Sequence, residues 1–198
     1  TRDQLTDSLW PDLDLEAFNQ NLKVALNALN RALEPNRETG QNPFFIIRRE
    51  SMYTLNPAAH VSLDTEDFLS LASGDEADDL QAALKIYQGD YLPDATGEDW
   101  TRQTRERLRD TYLMAANQLA ARYLDAGQYD ETMRVCHEIL MVDAYSEPTY
   151  RILMRCHSAR GNKAAVHSLF QRCVNMMKED LDTPPAPETT DLYRQLTK

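Results

Sequence analysis

The chain has 198 residues, 42% hydrophobic and 27% charged, with a formal net charge of -11. That composition excludes a disordered chain and supplies enough apolar material for a real core. No apolar run approaches the roughly 20 residues of a bilayer span, and no charged-then-apolar leader opens the sequence, so no membrane-spanning helix and a cytoplasmic location are expected. Cys136, Cys156 and Cys173 lie 20 and 17 residues apart, a spacing that matches neither a paired disulfide framework nor closely set zinc ligands. They read as reduced core thiols.

From the amino terminus, Leu5, Leu9 and Trp10 predict a short helix ended by Pro11. Phe18, Leu22, Leu26, Leu29 and Leu33 fall on one face of a longer helix over about 15–33. After a polar loop over 35–43, residues 44–49 and 52–55 read as two strands around a tight turn at Glu50 and Ser51. Helix, turn, helix, hairpin is the order of a winged helix. The sequence opens at Thr1, without methionine, directly in a helix-like segment. We therefore expect it to continue a longer protein, with the strands and first helix of such a fold ahead of Thr1.

The remainder reads as helical hairpins. Residues 65–72 and 77–87 form a first, divergent pair around Ser73, Gly74 and Asp75, followed by an irregular loop over 88–97. Beyond it, a shift of 34 residues lays Leu119 on Leu153, Tyr123 on His157, Gly127 on Gly161, Cys136 on Phe170 and Leu140 on Val174. Two units follow, 113–146 and 147–180, each a pair of antiparallel helices with a glycine at the reversal, where a positive φ excludes most side chains. Small Ala120 lets the paired helix approach, and Gly127-Gln128-Tyr129-Asp130-Glu131 is similar to the tetratricopeptide turn. Residues 183–187, with Pro184, Pro185 and Pro187, predict an extended crossing, and 188–196 a short amphipathic helix that caps the stack. A repeat of this length cannot bury its apolar face alone, so the hairpins stack into a surface suited to contact. The expected fold is mainly α, a TPR-like helical-hairpin solenoid over 60–198 preceded by a partial winged helix with a small β-hairpin over 1–57.

Catalytic signatures are missing from the sequence. His60, His137, His157 and His167 are dispersed, and no phosphate loop, nucleophile elbow or H-E-x-x-H zinc motif occurs. The acids Asp75, Glu76, Asp78 and Asp79 lack calcium-loop spacing and suit a helix start. We expect binding without catalysis, cofactor or metal. Toward DNA, Asn19, Gln20, Lys23, Asn27 and Asn30 read as the polar side of the longer helix, and asparagine or glutamine pairs bidentately with adenine. Arg31 ends that helix, and Arg48 and Arg49 would sit near phosphates in the wing; the other reading is a solvated helix and a charged edge strand. Toward a protein partner, Asn117, Ala121 and Asp125, then Arg151 and Arg155 one turn apart, read as outward positions. That basic pair suits a carboxylate or phosphate held by forked hydrogen bonds; the other reading is a solvated face pairing with Glu147.

Several stretches together resemble the bacterial transcriptional activator domain of SARP-type regulators, in which an OmpR-like winged helix precedes helical repeats. Leu9-Trp10-Pro11-Asp12 is similar to that family's LWPD turn. Residues 21–26 and 31–35 resemble its recognition helix, and Tyr53-Thr54-Leu55 its closing wing strand. Tyr87-Gln88-Gly89-Asp90-Tyr91-Leu92-Pro93 resembles its YxGDxLP loop, and Trp100, Arg105-Glu106-Arg107-Leu108, Pro187-Glu188-Thr189 and residues 192–196 also match. The resemblance implies a transcription regulator that meets promoter DNA through the intact parent protein, and transcription machinery or a sensory domain through its repeats. Where the family's recognition helix carries arginines in a pattern like SRLRR, this sequence has Asn27-Ala28-Leu29-Asn30-Arg31, so two cationic positions are neutral, and residues 1–60 hold six Lys or Arg against eight Asp or Glu. A TPR-like interaction scaffold that has lost DNA binding is therefore the alternative.

Overall fold

The computed structural model describes all residues except Thr39, Thr96 and Glu98, so Thr39 of the expected 35–43 loop and Thr96 of the 88–97 loop lie outside the described residues. The chain forms two compact units, one of residues 1–63 with 94–104 and one of 64–93 with 105–198.

In the amino-terminal unit, α1 (Arg2–Leu9) starts at a capping box in which Thr1 and Gln4 satisfy each other's backbone donors. The second helix, α2 (Leu15–Leu33), is capped by Asp14, whose carboxylate accepts the Ala17 N–H at 2.9 Å. The side chains of Phe18 and Leu22 are buried, and Trp10 meets the Phe18 ring edge-on at 5.9 Å. Strands β1 (Ile46–Arg49) and β2 (Met52–Leu55) pair antiparallel from Ile46 opposite Leu55 to Arg49 opposite Met52, with Glu50 left-handed in the turn. The first strand is two residues shorter than expected. The N–H groups of Phe44 and Phe45 both donate to Glu34 Oε1, at 2.9 and 3.3 Å, and so are withdrawn from any ladder there.

The carboxyl-terminal unit is mainly α, a TPR-like succession of helical hairpins. Its helices are α3 (Asp64–Ala72), α4 (Ala77–Ile86), α5 (Asp99–Asp125, of which residues from 105 onward belong to this unit), α6 (Tyr129–Val142), α7 (Glu147–Ala159), α8 (Lys163–Leu181) and α9 (Pro187–Thr197). Gly127 and Gly161, both at φ 71°, sit at equivalent reversals. After α5, Gln128 N–H reaches Tyr123 C=O at 2.8 Å and Gly127 N–H reaches Leu124 C=O at 3.0 Å. After α7, Asn162 and Gly161 repeat the pattern on His157 and Ser158, each at 2.9 Å. These are paired Schellman closures, so the repeat seen in the sequence is a repeat of backbone geometry.

Leu80, Ala83, Ala116, Leu119, Ala120, Val135, Ile139, Tyr150 and Leu153 form the main core. Met154, where the repeat pattern prefers a small residue, is fully buried in a second cluster with Val166 and Leu192, so α9 does cover the last hairpin. Helix α5 begins 14 residues ahead of the expected start at Leu113. The loop after α4 contains a short 3₁₀ turn, Pro93–Ala95, and Arg105 donates to the carbonyls of Tyr91 and Leu92 at 3.0 and 3.2 Å.

Candidate functional site

In the amino-terminal unit, α2 buries Phe18 and Leu22 and leaves Asn19, Gln20, Lys23, Asn27 and Arg31 exposed. Asn30 does not join them. It is 7% exposed, on the inner side of the helix, and its Oδ1 has no hydrogen-bond partner among the described residues. The expectation that Asn30 faces outward is corrected by its burial: at 3.6 residues per turn it stands about 80° around the helix from Leu22, at the border of the buried stripe, and packing rather than helix phase encloses it. One residue missed by sequence reasoning enters the same surface: Val24 is 63% exposed. Its place between Gln20 and Asn27 at i+4 and i-3 was the available signal. On the hairpin, Arg48 is held locally, its Nε donating to Glu50 C=O at 3.0 Å and its guanidinium 6.0 Å from the Tyr53 ring. Arg49 is exposed.

A groove of about 420 Å³ in this unit is lined by Leu9, Trp10, Leu22, Leu26, Ile46 and Tyr53. It has an apolar wall with almost nothing to orient a polar ligand.

In the carboxyl-terminal unit, the four expected partner-binding residues divide. Asp125 and Arg155 are exposed. Asn117 is half-buried, its Oδ1 accepting the hydroxyl of buried Thr149 at 2.9 Å and its Nδ2 donating to Leu113 C=O at 2.8 Å. Arg151 is half-buried and donates to the hydroxyl of buried Thr189 at 2.9 Å. Both were expected to point outward; both instead join one helix to another, α5 to α7 and α7 to α9. Glu147 does not pair with Arg151, because both its carboxylate oxygens accept the Ala186 N–H, at 3.1 and 3.0 Å, where α9 begins. Against α8, Tyr193 of α9 stacks on Phe170 at 4.1 Å and its hydroxyl lies 2.7 Å from His167 Nδ1.

A cleft of about 350 Å³ is lined by Lys85, Tyr87, Gln88, Tyr112, Glu138 and Val142, among others. Tyr87 stacks on Tyr112 at 4.4 Å, and burial, with Asp90 adding to it, pushes the Tyr87 hydroxyl up to about 12. The Glu138 carboxylate is held by Arg134 at 2.8 Å. Burial likewise pushes the thiols of Cys136 and Cys173 up to about 12 and about 11, and raises Cys156. The three thiols are free, buried and protonated at neutral pH, which makes them packing groups and poor nucleophiles. Among the described residues no group of His, Cys, Asp or Glu is arranged to hold a metal ion, and no helix is long and apolar enough to cross a membrane.

A family model described as the bacterial transcriptional activator domain matches residues 65–197. The chain belongs to that family. Its activator domain thus comprises α3 to α9 and the Tyr87–Pro93 loop that Arg105 pins. Among solved structures the chain is similar to Mycobacterium tuberculosis EmbR in complex with low affinity phosphopeptide, at 17% identity with a TM-score of 0.72. The match covers 98% of this chain and 54% of the EmbR chain, so this chain spans about half the length of that relative and shares its fold. No curated protein matches.

Proposed function

We propose that this chain is part of a bacterial transcription regulator of the SARP kind. In it, a winged-helix segment over 1–57 contacts promoter DNA and the TPR-like activator domain over 60–198 receives a protein partner, transcription machinery or a sensory domain. The family match over residues 65–197 carries this reading. It is supported by an amino-terminal unit whose longest helix keeps Asn19, Gln20, Lys23, Asn27 and Arg31 exposed opposite its buried stripe. The mechanism is recruitment or control rather than turnover. Of the basic pair on α7, Arg155 is exposed and available to a partner's carboxylate or phosphate, whereas Arg151 is committed to Thr189.

Salt titration of the intact parent protein on duplex promoter DNA tests the DNA half. Four cations, Lys23, Arg31, Arg48 and Arg49, set an upper slope of about -3.6 in log K against log salt, so a fourfold rise in salt lowers affinity by about 150-fold. Replacing Lys23 or Arg31 by alanine lowers the slope by about 0.9 each. The acidic balance of residues 1–60 favours the second reading, an interaction scaffold without DNA contact. Affinity indifferent to salt and to both substitutions selects it. For the partner half, Arg155→Glu leaves helicity intact and abolishes capture of the natural partner; unchanged capture refutes the assignment of Arg155.

A further inference from the structure

Resting on the reading of α2 as a DNA-contacting helix, we infer that it reads adenine·thymine pairs in the major groove, with Val24 as its contact to a thymine methyl. The exposed face is unusual in what it offers. Gln20, Val24, Asn27 and Arg31 follow one another at i, i+4, i+7 and i+11, a single strip opposite Phe18 and Leu22. Glutamine and asparagine present the donor and acceptor together that match adenine N7 and N6, whereas guanine is read by cationic forks at O6 and N7.

The two cations occupy the margins of the strip, with Lys23 on its flank and Arg31 in the last helical turn. From there they complement backbone phosphates, and Glu16 is the single carboxylate on the exposed face of α2. Between the two amides stands Val24, 63% exposed on a helix whose buried side already takes Phe18 and Leu22. A branched apolar side chain at the centre of a polar strip matches the one apolar group on the floor of the major groove, the C5 methyl of thymine. At 1.5 Å of rise per residue, Gln20 and Asn27 are about 10 Å apart along the axis, or about three base-pair steps. The core of the preferred site is accordingly three to four A·T pairs.

The test starts with selection by the intact parent protein from a library of randomised duplex DNA. The enriched duplex is then titrated as such and with uracil, which lacks the methyl, in place of each thymine. An A·T-rich core is expected, with one uracil position that weakens binding about three- to fivefold, the worth of one buried methyl. Val24→Ala, at an exposed position that folding does not need, shows the same loss on the thymine duplex and no further loss on the uracil duplex. A G·C-rich core, enrichment of no sequence, or a Val24→Ala chain that still senses the methyl overturns the inference and leaves DNA contact by α2 standing. Failure to retain any duplex at about 50 mM salt overturns the DNA reading itself, and this inference with it.

Discussion

Replacing Gly127 or Gly161 by alanine isolates a backbone effect from a packing effect. Both glycines are at φ 71°, and a Cβ built on either meets nothing within 4 Å, so no clash contributes. What remains is the left-handed conformation, which costs a residue with a Cβ about 1–2 kcal/mol. Alanine also restricts the unfolded chain, which offsets about 0.4–1 kcal/mol of that. The expected net loss is about 1 kcal/mol at each site. Urea unfolding followed by circular dichroism should show a midpoint lowered by about 0.4 M for each, with an unchanged slope, for m near the top of the usual range. Asp182 gives the opposite sign: it ends α8 at φ 49°, so Asp182→Gly relieves the same strain and raises the midpoint. A raised midpoint for either alanine variant, a loss beyond about 3 kcal/mol, or a lowered midpoint for Asp182→Gly refutes the account of the reversals as strain-limited glycine positions.

Arg151→Ala leaves the hydroxyl of fully buried Thr189 unpaired and costs about 1–2 kcal/mol; amide exchange in α9 should accelerate about tenfold while α6 is unchanged. Asn30→Leu removes a buried acceptor without a partner, and is expected to stabilise the amino-terminal unit by about 1 kcal/mol while leaving any DNA affinity unaltered. The pH profile follows from three acids raised by burial, Cys136, Cys173 and Tyr87. The folded state prefers their protonated forms, so their contribution is complete below about pH 9 and is lost as pH climbs through the folded values toward about 12. The urea midpoint should therefore hold at pH 7 to 8 and fall beyond pH 9; a midpoint that rises there contradicts the burial of these groups.

Periodicity made the helices legible wherever apolar residues line one side. Phe18, Leu22 and Leu26 locate α2 at its observed bounds, and the 34-residue shift locates both glycine reversals. The early part of α5 was invisible to the same test. Between Asp99 and Thr111, Trp100 and Leu108 are the only large apolar residues, so there is no stripe to detect. The start of β1 was illegible for another reason. Phe44 and Phe45 have strand composition, but Glu34, 10 and 11 residues away, takes their N–H groups. At the candidate site, exposed polar residues of α2 were legible as a group, whereas Asn30, at the border of the buried stripe, is enclosed by packing that periodicity does not show, and Val24 carried no polar signal to single it out.

Asn117 and Arg151 were misjudged for a reason that the stacking itself supplies. In a 34-residue repeat, equivalent positions of successive hairpins become neighbours, so bonds that join hairpins come at separations near that length. The observed partners fit: Asp130 with Arg160 at 30, Asn117 with Thr149 at 32, Tyr145 with Asp180 at 35, Arg151 with Thr189 at 38. A polar residue on these helices thus has a joining role as a competitor to any docking role, and burial decides between them. Double-mutant cycles measure the difference. The Asp130–Arg160 pair is exposed at 2.7 Å and should couple by less than about 1 kcal/mol. The Asn117–Thr149 bond, sealed beside a fully buried threonine, should couple by about 1–2 kcal/mol. Equal coupling energies in the two cycles would sink the distinction, and with it the ground for assigning partner contact to Arg155 while withholding it from Asn117 and Arg151.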